Sequence, residues 1–278
     1  MLNLILPLAL AACTAAPARE ASSAKPAIVS LNPCSDAILA EVAEPGQLLA
    51  ISAYSQDPAS SSMDLAKARA FKGISGTVEE VAALQPDLVV GATFMSPSTG
   101  AAFARLGTRV EKIGIAGTVD ESKAQIRLLA ALAGHPQRGE ALIARIDASL
   151  AAAAPPPGAP ISAIVWQSGG IVPGDGSLIA DLLRRTGFAN AAAARGLGQA
   201  DMLPLEAMLA SPPALILAAG DAHSEEDRLL RHPALAALKQ TRREPLDPAL
   251  LWCGGPTIIR AAQRLGAVRR SLVPGASL

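Results

Sequence analysis

Short apolar runs alternate with stretches of helical spacing along most of this chain. Ala27–Leu31 reads as a strand, followed by a Pro-Cys-Ser-Asp turn and a helix from Asp36 to about Ala43. Leu48–Ile51 is a second strand. Val78–Leu84 is a helix that leads into the strand Asp87–Gly91, and a helix around Gly100–Leu106 leads into Arg109–Ile113. Strands of this length separated by helices predict a parallel sheet covered on both faces. Thr118 to Ala154 changes character and is helical nearly throughout, with a break at Gly134-His135-Pro136. Pro136 suits the first turn of a new helix, and Pro155-Pro156-Pro157-Gly158 stops it. A second α/β series follows: strand Ile161–Trp166, helices Ser177–Thr186 and Leu205–Ala210, strand Ala214–Ala218, helix Leu229–Leu238, a strand end at Leu250–Trp252 and helix Thr257–Val268.

The two series echo each other. Val78–Val90 (VEEVAALQPDLVV) aligns without a gap to Leu205–Leu217 (LEAMLASPPALIL), with Val78 falling on Leu205, an offset of 127. Each is a short helix, a proline stop and a buried strand. The expected fold class is therefore α/β, with two similar α/β lobes joined by a single long helix and a ligand cleft between the lobes. The boundaries are 27–117 for the first lobe, 118–157 for the helical linker and 158–278 for the second lobe.

The first 26 residues belong to neither lobe. Met1–Ala12 is apolar and too short for a permanent span, and Leu10-Ala11-Ala12-Cys13 fits the lipobox of bacterial lipoproteins. Cys13 would then carry the lipid, and Ala15–Pro26 would be a flexible tether. The alternative is ordinary secretory cleavage near Ala16. No Lys or Arg precedes the apolar run. The remaining cysteines, Cys34 and Cys253, either pair, contact ligand or stay as small buried thiols.

Composition excludes several classes. The formal net charge is +0 and charges are interspersed, so no electrostatic footprint for nucleic acid is expected. No GxSxG, Walker or GxGxxG motif is present, which argues against an enzyme. The three histidines, His135, His223 and His232, fall off the expected cleft loops, which argues against a bare metal ion as cargo, and no metal site is expected.

The segments Ile28–Leu39, Gly73–Val90, Gly176–Asn190, Leu203–Leu217 and Leu251–Leu265, in this order and spacing, make the chain resemble the periplasmic binding proteins of ABC importers that carry vitamin B12 and iron–siderophore complexes. The resemblance implies two lobes bridged by a helix, a cleft, and one docking carboxylate per lobe for the permease dimer. By motif those carboxylates are Glu79 and Glu206. The chain is expected to be a periplasmic monomer, lipid-anchored through Cys13, with no cofactor.

Aromatic residues make up only 3% of the chain, and four of them fall at or past strand ends: Tyr54, Phe94, Trp166 and Trp252. Ligands of open α/β sheets bind there. An aromatic cleft suits a bulky, partly planar metal chelate. Cobalamin is the favoured cargo, with an iron–siderophore or haem (Tyr54 as axial ligand) as alternatives. A non-transport scaffold or sensor is the alternative of another class. Asn32, Ser35 and Gln167 join Cys34 and Cys253 as further ligand-binding candidates, and Gly254-Gly255-Pro256 is either a tight turn or a backbone cradle for an anionic group.

Overall fold

The computed structural model describes residues 25–220 and 227–272. Cys13 with the expected export segment, and His223, lie outside them. The first half contains β1 (Ile28–Ser30), α1 (Pro33–Val42), β2 (Leu48–Ser52), α2 (Leu65–Arg69), β3 (Gly73–Ile74), α3 (Val78–Ala83), β4 (Leu88–Ala92), α4 (Pro97–Arg105) and β5 (Arg109–Ile113). Then come α5 (Val119–Leu132) and α6 (Pro136–Ala152). The second half contains β6 (Ile161–Gln167), β7 (Ile171–Val172), α7 (Leu178–Arg185), β8 (Phe188–Asn190), β9 (Asp201–Met202), α8 (Leu205–Ala210), β10 (Leu215–Ala219), β11 (Arg242–Leu246) and α9 (Thr257–Ser271).

Each half builds one parallel sheet. The orders are β3-β2-β1-β4-β5 and β11-β10-β6-β8. β1, β2, β4 and β5 therefore have the same neighbours as β6, β8, β10 and β11. The repeat seen in the sequence holds at every boundary, because α3 and β4 map onto α8 and β10 at the same offset. All five residues of β4 are buried, as a central parallel strand covered on both faces requires. β7 and β9 form a small antiparallel ribbon apart from the main sheets.

Between the sheets the chain passes through α5 and α6, which lie against each other. α6, 17 residues long, also touches α1 of the first half and α9 of the second. One continuous apolar core runs from Ile28 and Ile38 through Ile126 and Ile146 to Ile258 and Leu265. Each half keeps a smaller cluster on its far face, around Phe103 in the first and Trp166 in the second.

Two of the expected elements take another form, and α2, β3, β7, β8 and β9 are short elements that the apolar pattern does not mark. Leu229–Leu238 is not one helix but two short 3-10 turns, Arg228–Arg231 and Pro233–Ala237. Pro233 lacks the N–H that a continuous helix needs there. Leu250–Trp252 is a turn, not a strand end; the strand is Arg242–Leu246, whose charged residues suit the sheet edge it occupies.

Candidate functional site

The carboxyl ends of strands from both halves open onto one cavity of about 440 Å³. That is within the usual range for a small-molecule site. From the first half, Asn32 and Cys34 follow β1, Phe94 follows β4 and Ile115 follows β5. From the second half, Leu178 opens α7, and Leu251–Gly254 precedes α9. Phe94 and Ile115 are 78% and 76% exposed and line the cavity with apolar surface. No Asp, Glu, Lys, Arg or His lines the cavity among the described residues.

Local rules fix these positions. Asn32 caps α1, its Oδ1 accepting the Cys34 N–H at 2.8 Å, and Pro33 occupies the first helical position. Ser177 caps α7 in the same way through the Ala180 N–H. Cys34 and Cys253 form a disulfide across the two halves, with Cα atoms 5.0 Å apart and a sequence separation of 219. Both line the cavity. Of the three states open to these cysteines on sequence grounds, the structure adopts the bridge.

The Gly254-Gly255 pair forms the turn expected before α9, with Gly255 at positive φ, and it also allows a close approach between the halves. A Cβ on Gly254 would stand 2.3 Å from Ser122 Oγ, and one on Gly255 would stand 2.6 Å from Ile38 Cγ1. Gly255 also takes a φ of 61°, and its N–H donates to Ser122 Oγ at 2.8 Å. The missing side chains let this loop of the second half lie directly on α1 and α5. Gly117 plays the same part opposite, where a Cβ would stand 2.3 Å from the Gly176 carbonyl oxygen. Further polar links cross the divide: Ser62 Oγ donates to the Ala249 carbonyl at 2.9 Å, and the Val119 N–H donates to Asp181 at 2.9 Å.

Trp166 is corrected by its burial. It is fully enclosed among the far-face core of the second half, and its indole N–H donates to the Leu203 carbonyl at 3.2 Å. A large side chain on a central strand points into one layer or the other; here that layer is core, so Trp166 is no cleft residue. Ser35 is likewise buried, tied to Ser30 Oγ and the Asn32 carbonyl, and its hydroxyl serves the helix start rather than the cavity. Gln167 ends β6 beside Ala219 and does not line the cavity. Tyr54 is 65% exposed on the turn after β2, outside the cavity lining. Ile115 carries no signal in the sequence, because nothing in the run Ile115-Ala116-Gly117 marks it as more than a loop.

One buried acid lies behind this surface. Asp36 Oδ2 accepts the Ser52 N–H at 3.0 Å and the Ser55 hydroxyl at 2.7 Å, which secures the turn that carries Tyr54. Burial pushes its pKa up to about 8, against the opposing pull of Ser30, Ser55 and Ser52. Glu79 and Glu206 are each the second residue of a short helix, at α3 and α8, and both are exposed.

The model of the periplasmic binding protein family matches residues 28–248. This chain belongs to the periplasmic binding protein family. No curated protein sequence matches it. Among solved structures it is similar to the periplasmic heme-binding protein RhuT from Roseiflexus sp. RS-1, at 25% identity over 88% of this chain and 98% of that one, with a TM-score of 0.70. It also shares its fold with the vitamin B12 binding protein BtuF of Vibrio cholerae (19% identity, 89% and 98% covered, TM-score 0.67). A periplasmic heme binding protein from Pseudomonas aeruginosa is a third such structure (22% identity, 91% and 95% covered, TM-score 0.65). Family members of this kind are binding proteins rather than enzymes.

Proposed function

We propose that this periplasmic binding protein captures a corrinoid of the cobalamin type between its halves and delivers it to an ABC permease dimer. The uncharged lining of the cleft is the observation that carries this reading. An anionic siderophore or a pair of haem propionates loses hydration on entry, and a wall without cations does little to offset that cost. A corrinoid presents apolar edges and neutral amides, which Phe94, Ile115, Trp252 and the Asn32 amide complement. Cys13 anchors the chain to the membrane by lipid, and Glu79 and Glu206 meet cationic groups of the permease, one from each half. The working form is a monomer.

Haem is the second reading. It is favoured by the likeness to RhuT and by the exposed Tyr54, whose phenol is a known type of haem-iron ligand. Titration of the mature protein with cyanocobalamin, hemin and ferric siderophores, read by tryptophan fluorescence, separates the readings. Trp252 reports because it is at the cleft, while the enclosed Trp166 gives a constant background. Quenching by hemin but not by cyanocobalamin transfers the function to haem. Glu79→Ala and Glu206→Ala are expected to cut uptake while binding survives; unchanged uptake favours a sensor or scaffold instead.

A further inference from the structure

The Cys34–Cys253 bridge is the one covalent link between the halves other than the main chain among the described residues, and it forms part of the cavity wall. Its two sulfurs are not equivalent. Cys253 is buried at 4% exposure, within the loop pressed onto α1 and α5, whereas Cys34 is only half-buried at the start of α1. A reagent in the empty cleft therefore meets Cys34 first, and a bulky ligand in the cleft stands in its way. Trp252 adjoins Cys253, so the same bridge fixes the loop that presents the cleft's indole.

We infer that this disulfide is a thiol–disulfide exchange site whose reactivity is set by occupancy of the cleft. The partner is a dithiol reductant. Its thiolate attacks Cys34 Sγ, forming a mixed disulfide and expelling Cys253 as a thiolate, which takes up a proton. The second thiol of the reductant then displaces Cys34, which leaves as a thiolate and is protonated in turn. Two electrons pass to the bridge, the reductant becomes a disulfide, and the chain gains two thiols. The cleft halves then lose their covalent tie, while the polar links at Ser62 and Asp181 and the shared core remain. The identity of the occupant rests on the function proposed above; the exposure of the empty bridge does not.

The test has two arms. In the first, the folded mature protein without ligand is treated with dithiothreitol, quenched with an alkylating agent and mapped by peptide mass. Labelling of Cys34 in the native chain is expected, and labelling of neither cysteine before denaturation overturns the inference. In the second, cyanocobalamin is added at about 100 times its Kd, so that reaction through the empty fraction slows about 100-fold. A ligand that quenches Trp252 yet leaves the reduction rate unchanged overturns the coupling. If cyanocobalamin does not bind, hemin takes its place in the same assay and is held to the same two outcomes; the corrinoid reading then fails while the exchange site is still tested.

Discussion

The two halves share a scaffold and part company at the strand ends. In the first, β2, β4 and β5 run out into exposed Tyr54, Phe94 and Ile115. In the second, the aromatic at the end of β6 turns inward as Trp166, and the cleft is served instead by Trp252, six residues past β11 on a bridged, glycine-set loop. Repetition thus supplies two equivalent platforms, but the recognition surface is asymmetric: one half offers side chains on free loops, the other a loop held against its partner. The topology alone would have placed Trp166 in the cleft, and only its packing shows otherwise.

The largest test of that contrast compares the two tryptophans. Trp166→Ala is expected to cost about 3–5 kcal/mol in urea unfolding, because it empties a closed core. Trp252→Ala should cost under about 1 kcal/mol and weaken ligand about tenfold or more by titration. Equal stability losses would erase the distinction between a core and a cleft indole.

The held loop comes next. Gly255→Ala sets a methyl against Ile38 in a backbone conformation that L-residues rarely adopt, for an expected loss of about 1–3 kcal/mol and weaker ligand binding. Gly46→Ala, also at positive φ but with open space around it, should lose about 1 kcal/mol and leave binding alone. Similar binding losses in both would show that the loop is not positioned by its contact with α1.

Two buried acids give the smaller, pH-dependent test. Burial raises the Asp181 carboxyl, but the Val119 N–H and the Arg185 guanidinium outweigh it, and its pKa falls below the ordinary value of 3.8. Its stabilisation is therefore complete above pH 3.8 and is lost as pH falls through the lower folded value. Asp181→Asn should cost about 1–2 kcal/mol at pH 7 and nothing at strongly acid pH. Asp36 has the opposite sign. It is neutral in the fold up to about pH 8, whereas the unfolded chain ionises near 3.8, so stability drains away between those values as pH rises. Asp36→Asn removes that slope, so its stability relative to the parent chain should rise steadily with pH between those two values. A Tm against pH profile with unchanged slope in Asp36→Asn would refute the assignment.

Much of this was readable from residue order. Apolar runs bounded by Pro and Gly located most strands of the main sheets, and the repeat at Val78 and Leu205 announced the duplicated topology. The exceptions have physical causes. Arg242–Leu246 is an edge strand, so half-solvated charges replace the apolar signal that a central strand carries. Leu229–Leu238 has helical spacing, yet Pro233 divides it. The cleft was legible by type, as aromatics beyond strand ends, but not by direction. Whether an indole at the end of a strand faces ligand or core depends on which layer closes over it, and the residues that enclose Trp166 come from several distant segments. The glycine pair was legible only as a turn, because close approach between halves needs both partners in view.

The core that runs unbroken from β1 through α5 and α6 to α9 bears on how the molecule comes apart. Neither half closes over its own interior on the side facing the helices, so each is a lid for the other. Heating should accordingly melt the chain in one calorimetric step, and a fragment ending after β5 should emerge from synthesis with a bare oily wall and clump rather than fold.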